Sequence, residues 1–290
     1  MAAEKEIDSV TGVETTGHVW DGDLRELNKP LPKWWLYVLY ACIVWAIGYW
    51  VLYPAWPTTG GYTAGLWGYS QRAEVDKSIA DAKAARAAPL KAIAETPLGE
   101  IEKDPALMQF VLAGGAAAFG DNCAGCHGRG AQGGPGYPNL NDDDWLWGGT
   151  LADIQKTIAA GVRSGHADTR QTAMPRFGQD SLLEPAQMAD AAEYVLSLSG
   201  RSSDAAAAAR GQTLFAEQCA VCHGEKAAGN QELGAPNLTD GIWLYGGRRD
   251  DVLETVRTGR GGVMPAWEGR LDTETIKMMA VYVHSLGGGK

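Results

Sequence analysis

Two short runs in this chain place paired thiols beside an imidazole: Cys123-Ala124-Gly125-Cys126-His127 and Cys219-Ala220-Val221-Cys222-His223. Two thiols at this spacing can form thioether bonds to one porphyrin, and the His that follows can coordinate its iron. Each run therefore reads as an attachment site for a c-type haem. A zinc site would need a second ligand pair close by. Cys123, Cys126, Cys219 and Cys222 leave only Cys42 of the five cysteines, and that one lies in an apolar run. A thioredoxin-like motif would sit in a βαβ setting, and no strand pattern surrounds either run. Two covalently bound haems c imply an electron carrier, with the chemistry residing in the cofactor.

Such an iron takes two axial ligands. His127 and His223 supply one each. For the opposite faces the candidates are Met174 and Met264, each followed by proline and each at the same place in a repeated pattern. Methionine ligation raises the reduction potential, which suits a carrier near the oxidising end of a respiratory chain. His166 and His284 are the alternatives and would give lower potentials. Met188, Met278 and Met279 fall on apolar helix faces and read as packing. No catalytic side chain is expected, because an iron with both axial positions filled does not bind oxygen or peroxide. An axial His usually donates its second ring N–H to a fixed acceptor. The carbonyls of Pro138 and Pro236 are the candidates, and Arg163, Arg257 and Arg260 are candidates to offset haem propionate charge.

The elements that position these groups occur twice. Gly115, Phe119 and Cys123 match Gly211, Phe215 and Cys219; Pro138-Asn139-Leu140 matches Pro236-Asn237-Leu238. Trp145 to Gly149 matches Trp243 to Gly247, and Tyr194 to Leu198 matches Tyr282 to Leu286. Helical apolar spacing runs over Ala152–Ala160, Asp251–Thr258, Pro185–Leu198 and Asp272–Leu286. The expected fold is mainly α, with domains at 113–200 and 207–290. Gly200 to Ala209 reads as the linker between them.

From Trp34 to Gln71 there is no charged side chain. Trp34 to Tyr53 as a helix spans a hydrocarbon layer of ~30 Å, with aromatic residues at both ends as at a membrane interface. The segment 34–56 is thus expected to be a transmembrane anchor rather than a cleaved signal, since a polar segment, 1–33, precedes it. Arg25, Lys29 and Lys33 lie just before the span and the next basic residue is Arg72. The positive-inside rule puts 1–33 in the cytoplasm and the haem region in the periplasm, single-pass in a bacterial inner membrane. The segment 57–112 is a connecting arm, with a helix over Ala73–Ala88 stopped by Pro89. A net charge of −10 argues against nucleic acid as a partner and favours a basic protein donor.

An N-terminal anchor, a charged arm and two tandem units with Cys-x-x-Cys-His and Met-Pro elements resemble the di-haem subunit III of cbb3-type cytochrome c oxidases. The run Tyr69-Ser70-Gln71-Arg72-Ala73-Glu74-Val75 is also similar to that family. The resemblance implies two tandem class I cytochrome c domains, with His127 and Met174 on one iron and His223 and Met264 on the other. It implies that helices around Gly115/Phe119 and Gly211/Phe215 cross terminal helices near Tyr194 and Tyr282.

The implied role is electron input to a haem–copper terminal oxidase, from a donor cytochrome c through a mono-haem subunit to the catalytic subunit. This chain has five histidines and one span, too few to house the oxygen-reducing centre itself. Some members of the family carry two N-terminal membrane helices where this chain has one. Rival readings are a stand-alone membrane-tethered di-haem cytochrome, the cytochrome subunit of a periplasmic dehydrogenase, a di-haem peroxidase and a haem-based sensor.

Overall fold

In the computed structural model, which describes residues 6–287, the chain divides between Ala84 and Ala85 into two units. The N-terminal unit opens with a hairpin, β1 (Thr15–Trp20) antiparallel to β2 (Leu24–Leu27). Its turn uses Asp21 and Gly22, both at positive φ (52° and 93°), the geometry that Asp-Gly pairs supply. Helix α1 (Lys33–Leu52) has no charged residue after Lys33, carries no buried residue and is long enough to cross a membrane. It stops at Tyr53, because the residue before Pro54 is driven to extended backbone. A small hairpin follows, β3 (Pro57–Thr58) with β4 (Gly61–Tyr62). The chain then turns back so that the Leu66 and Trp67 N–H groups donate to the Val51 and Leu52 carbonyls at the end of α1.

Helix α2 (Gln71–Glu95) does not stop at Pro89, as the sequence led us to expect; it runs six residues further. The continuation is held by contacts that local propensity does not count. Ile93 is fully buried with Ile101 and Leu107. The Lys277 ammonium donates to the carbonyls of Ile93, Ala94 and Thr96 at 2.9–3.1 Å, a cationic cap on a helix C-terminus.

The rest is helical: α3 (Leu98–Ile101), α4 (Pro105–Asn122), α5 (Ala124–His127), α6 (Leu151–Ala160), α7 (Pro185–Ser197), α8 (Ala205–Gln218), α9 (Ala220–His223), α10 (Arg249–Thr258) and α11 (Thr273–Ser285). Helices α4 and α8 both start on an aspartate cap, Asp104 and Asp204, each accepting from two backbone N–H groups.

The two sequence repeats do not close on themselves. Helix α4 of the first packs on α11 of the second, and α8 of the second packs on α7 of the first. Gly115 lies where a Cβ would meet the Met278 carbonyl and Tyr282 at 2.6 Å; a Cβ on Gly211 would overlap the Asp190 carbonyl. The rings of Phe119 and Tyr282 are 5.6 Å apart, those of Phe215 and Tyr194 5.1 Å. The reason is the connection between α7 and α8. The stretch Gly200–Ala209 is not a free linker: the helix begins at Ala205, and Ala207 and Ala208 are buried. Two helices joined by a few residues pack as an antiparallel hairpin, so α7 is claimed by α8 and the first repeat must take its last helix from the second.

Candidate haem sites

Each Cys-x-x-Cys-His run follows a long helix and forms a single turn, α5 or α9, that ends on a glycine at positive φ (Gly128, 80°; Gly224, 76°). Behind each turn the chain doubles back, so that the His127 Nδ1 lies 3.0 Å from the Pro138 carbonyl and the His223 Nδ1 3.0 Å from that of Pro236. These are the acceptors that the sequence suggested. A carbonyl can only accept, so Nδ1 carries the proton and Nε2 is left free for a metal. Burial lowers the pKa of His223, which keeps its imidazole neutral, the form a metal binds. Burial, reinforced by the neighbouring thiol of each pair, pushes Cys123 and Cys219 up to about 11.

A cavity of about 420 Å3 opens beside the second run, walled by Cys219, Cys222, His223, Val252, Val256 and Trp243. The methionine in its wall is Met174, not Met264. Met174 packs with Phe177, Leu183, Met188 and Val256, and its N–H donates to the Arg260 carbonyl at 3.0 Å. Met264 instead joins the cluster that holds Cys123, Ile154, Ile158 and Met279. Its backbone pairs with Val162, and the Cys123 thiol lies 3.9 Å from the Met279 sulfur on α11. The structure therefore places Met174 in one cavity wall with His223, and Met264 against the cluster that holds Cys123 of the first run. This departs from the within-repeat pairing that the resemblance implied, and it follows from the helix exchange, since each methionine loop travels with the helix after it.

Gly161 and Gly259, at φ 71° and 67°, make the crossing possible. A Cβ on Gly259 would meet the Met174 carbonyl at 2.5 Å, and one on Gly161 would crowd that of Met264. Glycine is the residue that tolerates both the conformation and the approach.

This cavity suits a porphyrin on an observation independent of the motif. The Trp243 Nε1–H is buried with no partner among the described residues, in a wall that also carries Arg163 and Arg260. An unpaired buried donor calls for an acceptor, and a haem propionate is one. Of the other sequence candidates, Arg257 is held by Glu254 at 2.8 Å, and Arg260 stacks over Tyr245 at 4.4 Å. His166 faces Glu268 and His284 faces Glu102, at 2.9 and 2.8 Å, so both histidines have carboxylate partners.

Sequence reasoning did not single out Trp243, nor Asp144, whose carboxyl also lines the cavity. Burial, then the charges of Asp240, Asp142 and Asp143, raises Asp144 to about 6. The repeat itself carried a signal for both: Trp243 is the counterpart of Trp145, and Asp144 stands where the second copy has Ile242.

Comparison with known proteins finds cytochrome c segments in both repeats. Residues 12–60 match the N-terminal domain of cytochrome oxidase-cbb3, residues 112–199 match cytochrome c, and residues 206–283 match cytochrome c oxidase, cbb3-type, subunit III. A cbb3-type cytochrome c oxidase subunit of Bradyrhizobium sp. is 57% identical over 100% of both chains. One from Azospirillum brasilense is 56% identical over 99% of this chain and 100% of its own. Another, from Cereibacter sphaeroides, is 52% identical over 95% of each. Cytochrome c domains imply covalently bound haem c, and the chain belongs to the subunit III family of cbb3-type cytochrome c oxidases.

Proposed function

We propose that this chain holds two haems c with crossed axial ligands and passes electrons toward the oxygen-reducing subunit of a cbb3-type oxidase. Cys123 and Cys126 attach the first haem, with His127 and Met264 as axial ligands. Cys219 and Cys222 attach the second, with His223 and Met174. The observation that carries this reading is the shared cavity wall of Met174 and His223, matched by the packing of Met264 against the Cys123 cluster.

When bound, the haem supplies reversible one-electron transfer at its iron. The chain's part is to fill both axial positions, exclude water and hold the two sites in fixed register. The Pro138 and Pro236 carbonyls orient the imidazoles. The methionine loops, each bonded to the other repeat, keep the two sites tied together. No side chain needs to exchange a proton with a substrate.

Helix α1 anchors the chain, with 1–33 in the cytoplasm and the haem region in the periplasm. Arg25, Lys29 and Lys33 on one flank support this orientation. The partners are the catalytic haem–copper subunit, a mono-haem cytochrome c subunit and a basic donor cytochrome c. Isolation from native membranes in mild detergent tests the reading. Co-isolation with b-type haem and copper is expected, and a lone di-haem chain would contradict it.

A further inference from the structure

We infer that Glu193 is a positioning residue that assigns helix α7, and with it Met174, to the second haem pocket. The inference rests on the Met174–His223 pairing proposed above. Helices α7 and α11 are alike: each has 13 residues, and Tyr194 of one corresponds to Tyr282 of the other. Their buried faces differ in size, as at Ala191 and Met279, and in charge at the residue before the tyrosine. Before the tyrosine, α7 carries Glu193 and α11 carries Val281, and both are sealed from solvent, at 1% and 0% exposure.

The surroundings match each residue. The Glu193 carboxylate accepts from the Ser202 hydroxyl at 2.7 Å and from the Ser203 and Asp204 N–H groups at 3.0 and 3.3 Å. The Arg249 guanidinium donates to it at 2.7 Å. Three of these donors sit in the connection leading into α8, and the fourth is the first residue of α10, so all belong to the second pocket's framework. Val281 lies against Ile93, Ile101, Leu107 and Val111, which offer no donor.

Exchange of the two helices would bury the carboxylate among aliphatic side chains. It would also leave Arg249 and two backbone N–H groups facing a valine. A buried ion that loses its partners is penalised far more than a matched pair gains, and polar pairs of this kind can act as registry devices. With α7 held by Glu193, Met188 draws Phe177, Leu183 and Met174 into one cluster with Val256 of α10. That cluster is the mechanical link from Glu193 to the axial position.

The test uses the full chain with its haems in native membranes. Free imidazole is titrated as a competing ligand, and loss of the far-red methionine–iron band is read. In Glu193→Val, imidazole should displace methionine from one haem at least about tenfold more readily than in the parent. Combining it with Met174→Ala should add no further loss, which marks the same haem. Glu193→Gln keeps an acceptor for the linker N–H groups and should stay within about threefold of the parent.

The double variant Glu193→Val/Arg249→Leu replaces the ion pair by apolar groups and guards against simple misfolding. It should recover thermal stability yet keep the imidazole sensitivity. Parent-like titration in that double variant would overturn the inference and leave Glu193 a merely stabilising group. If Met174→Ala opens the haem at Cys219 and Cys222 while Glu193→Val changes nothing, the inference fails and the pairing stands. If Met174→Ala leaves that haem methionine-bound, the pairing fails and takes the inference with it.

Discussion

Met264 and Val162 exchange both of their backbone hydrogen bonds, N–H to carbonyl at 3.0 Å in each direction, across the boundary between the two sequence repeats. The pseudo-equivalent contact joins Met174 to Arg260, also at 3.0 Å. The two methionine loops thus lean on one another's repeats, as do the helices, α4 on α11 and α8 on α7.

Packing at the helix crossings predicts a sharp contrast between glycines. Gly211→Ala would drive a methyl group into the Asp190 carbonyl and against Tyr194. We expect a loss of about 2–4 kcal/mol in thermal or denaturant unfolding of the haem-loaded chain. Gly120→Ala, at an exposed position of α4 with nothing among the described residues within 4 Å of the new methyl, is expected to stabilise by about 0.5–1 kcal/mol.

Asp144 predicts a pH dependence with a definite sign. Its folded pKa, about 6, lies above the ordinary 3.8, so the folded chain holds this proton more tightly than the unfolded one. The stability it contributes is whole below pH 3.8 and lost as pH rises through about 6. Asp144→Asn should therefore be more stable than the parent at neutral pH and equal to it below pH 3.8. The ionised carboxylate, in the wall of the second cavity, also favours ferric iron. The midpoint potential of that haem should fall by tens of millivolts as pH rises through about 6 in the parent and stay flat in the variant.

Trp243 predicts an effect on potential with little change in packing. Trp243→Phe removes the unpartnered buried N–H while keeping an aromatic ring in the wall. If that N–H bonds a propionate, its loss leaves the propionate charge less compensated. The midpoint of the second haem should then drop, by at most roughly 40 mV, the limit reached if a hydrogen bond of about 1 kcal/mol acted in the ferrous state alone. Redox titration of the two haems in the variant checks this; an unchanged midpoint would assign the N–H no such partner.

Much of this was legible in the residues. The thiol pairs and their histidines are local motifs, and the order of matched segments from Gly115 to Leu198 and from Gly211 to Leu286 exposed the helices. The Pro138 and Pro236 carbonyls followed from the need to orient an axial imidazole.

Pairing between the copies was not legible, because a repeat supplies two equivalent partners for every element. The signal that could have decided it was the short stretch between Leu198 and Ala205, which makes α7 and α8 neighbours. Reading Ala205 to Ala209, the start of α8, as linker concealed this. The Asp21-Gly22 turn was likewise a hairpin signal within a segment treated only as a cytoplasmic tail. Pro89 misled because the contacts of Ile93 and Lys277 that carry α2 past it come from residues remote in sequence.

The central claim is the crossed ligation, and a structure of the haem-loaded chain at a resolution that places sulfur against iron tests it most directly. The account predicts the Met174 sulfur on the iron held by His223 and the Met264 sulfur on the iron held by His127. Met174 bound to the His127 iron, or either iron without methionine, would contradict it.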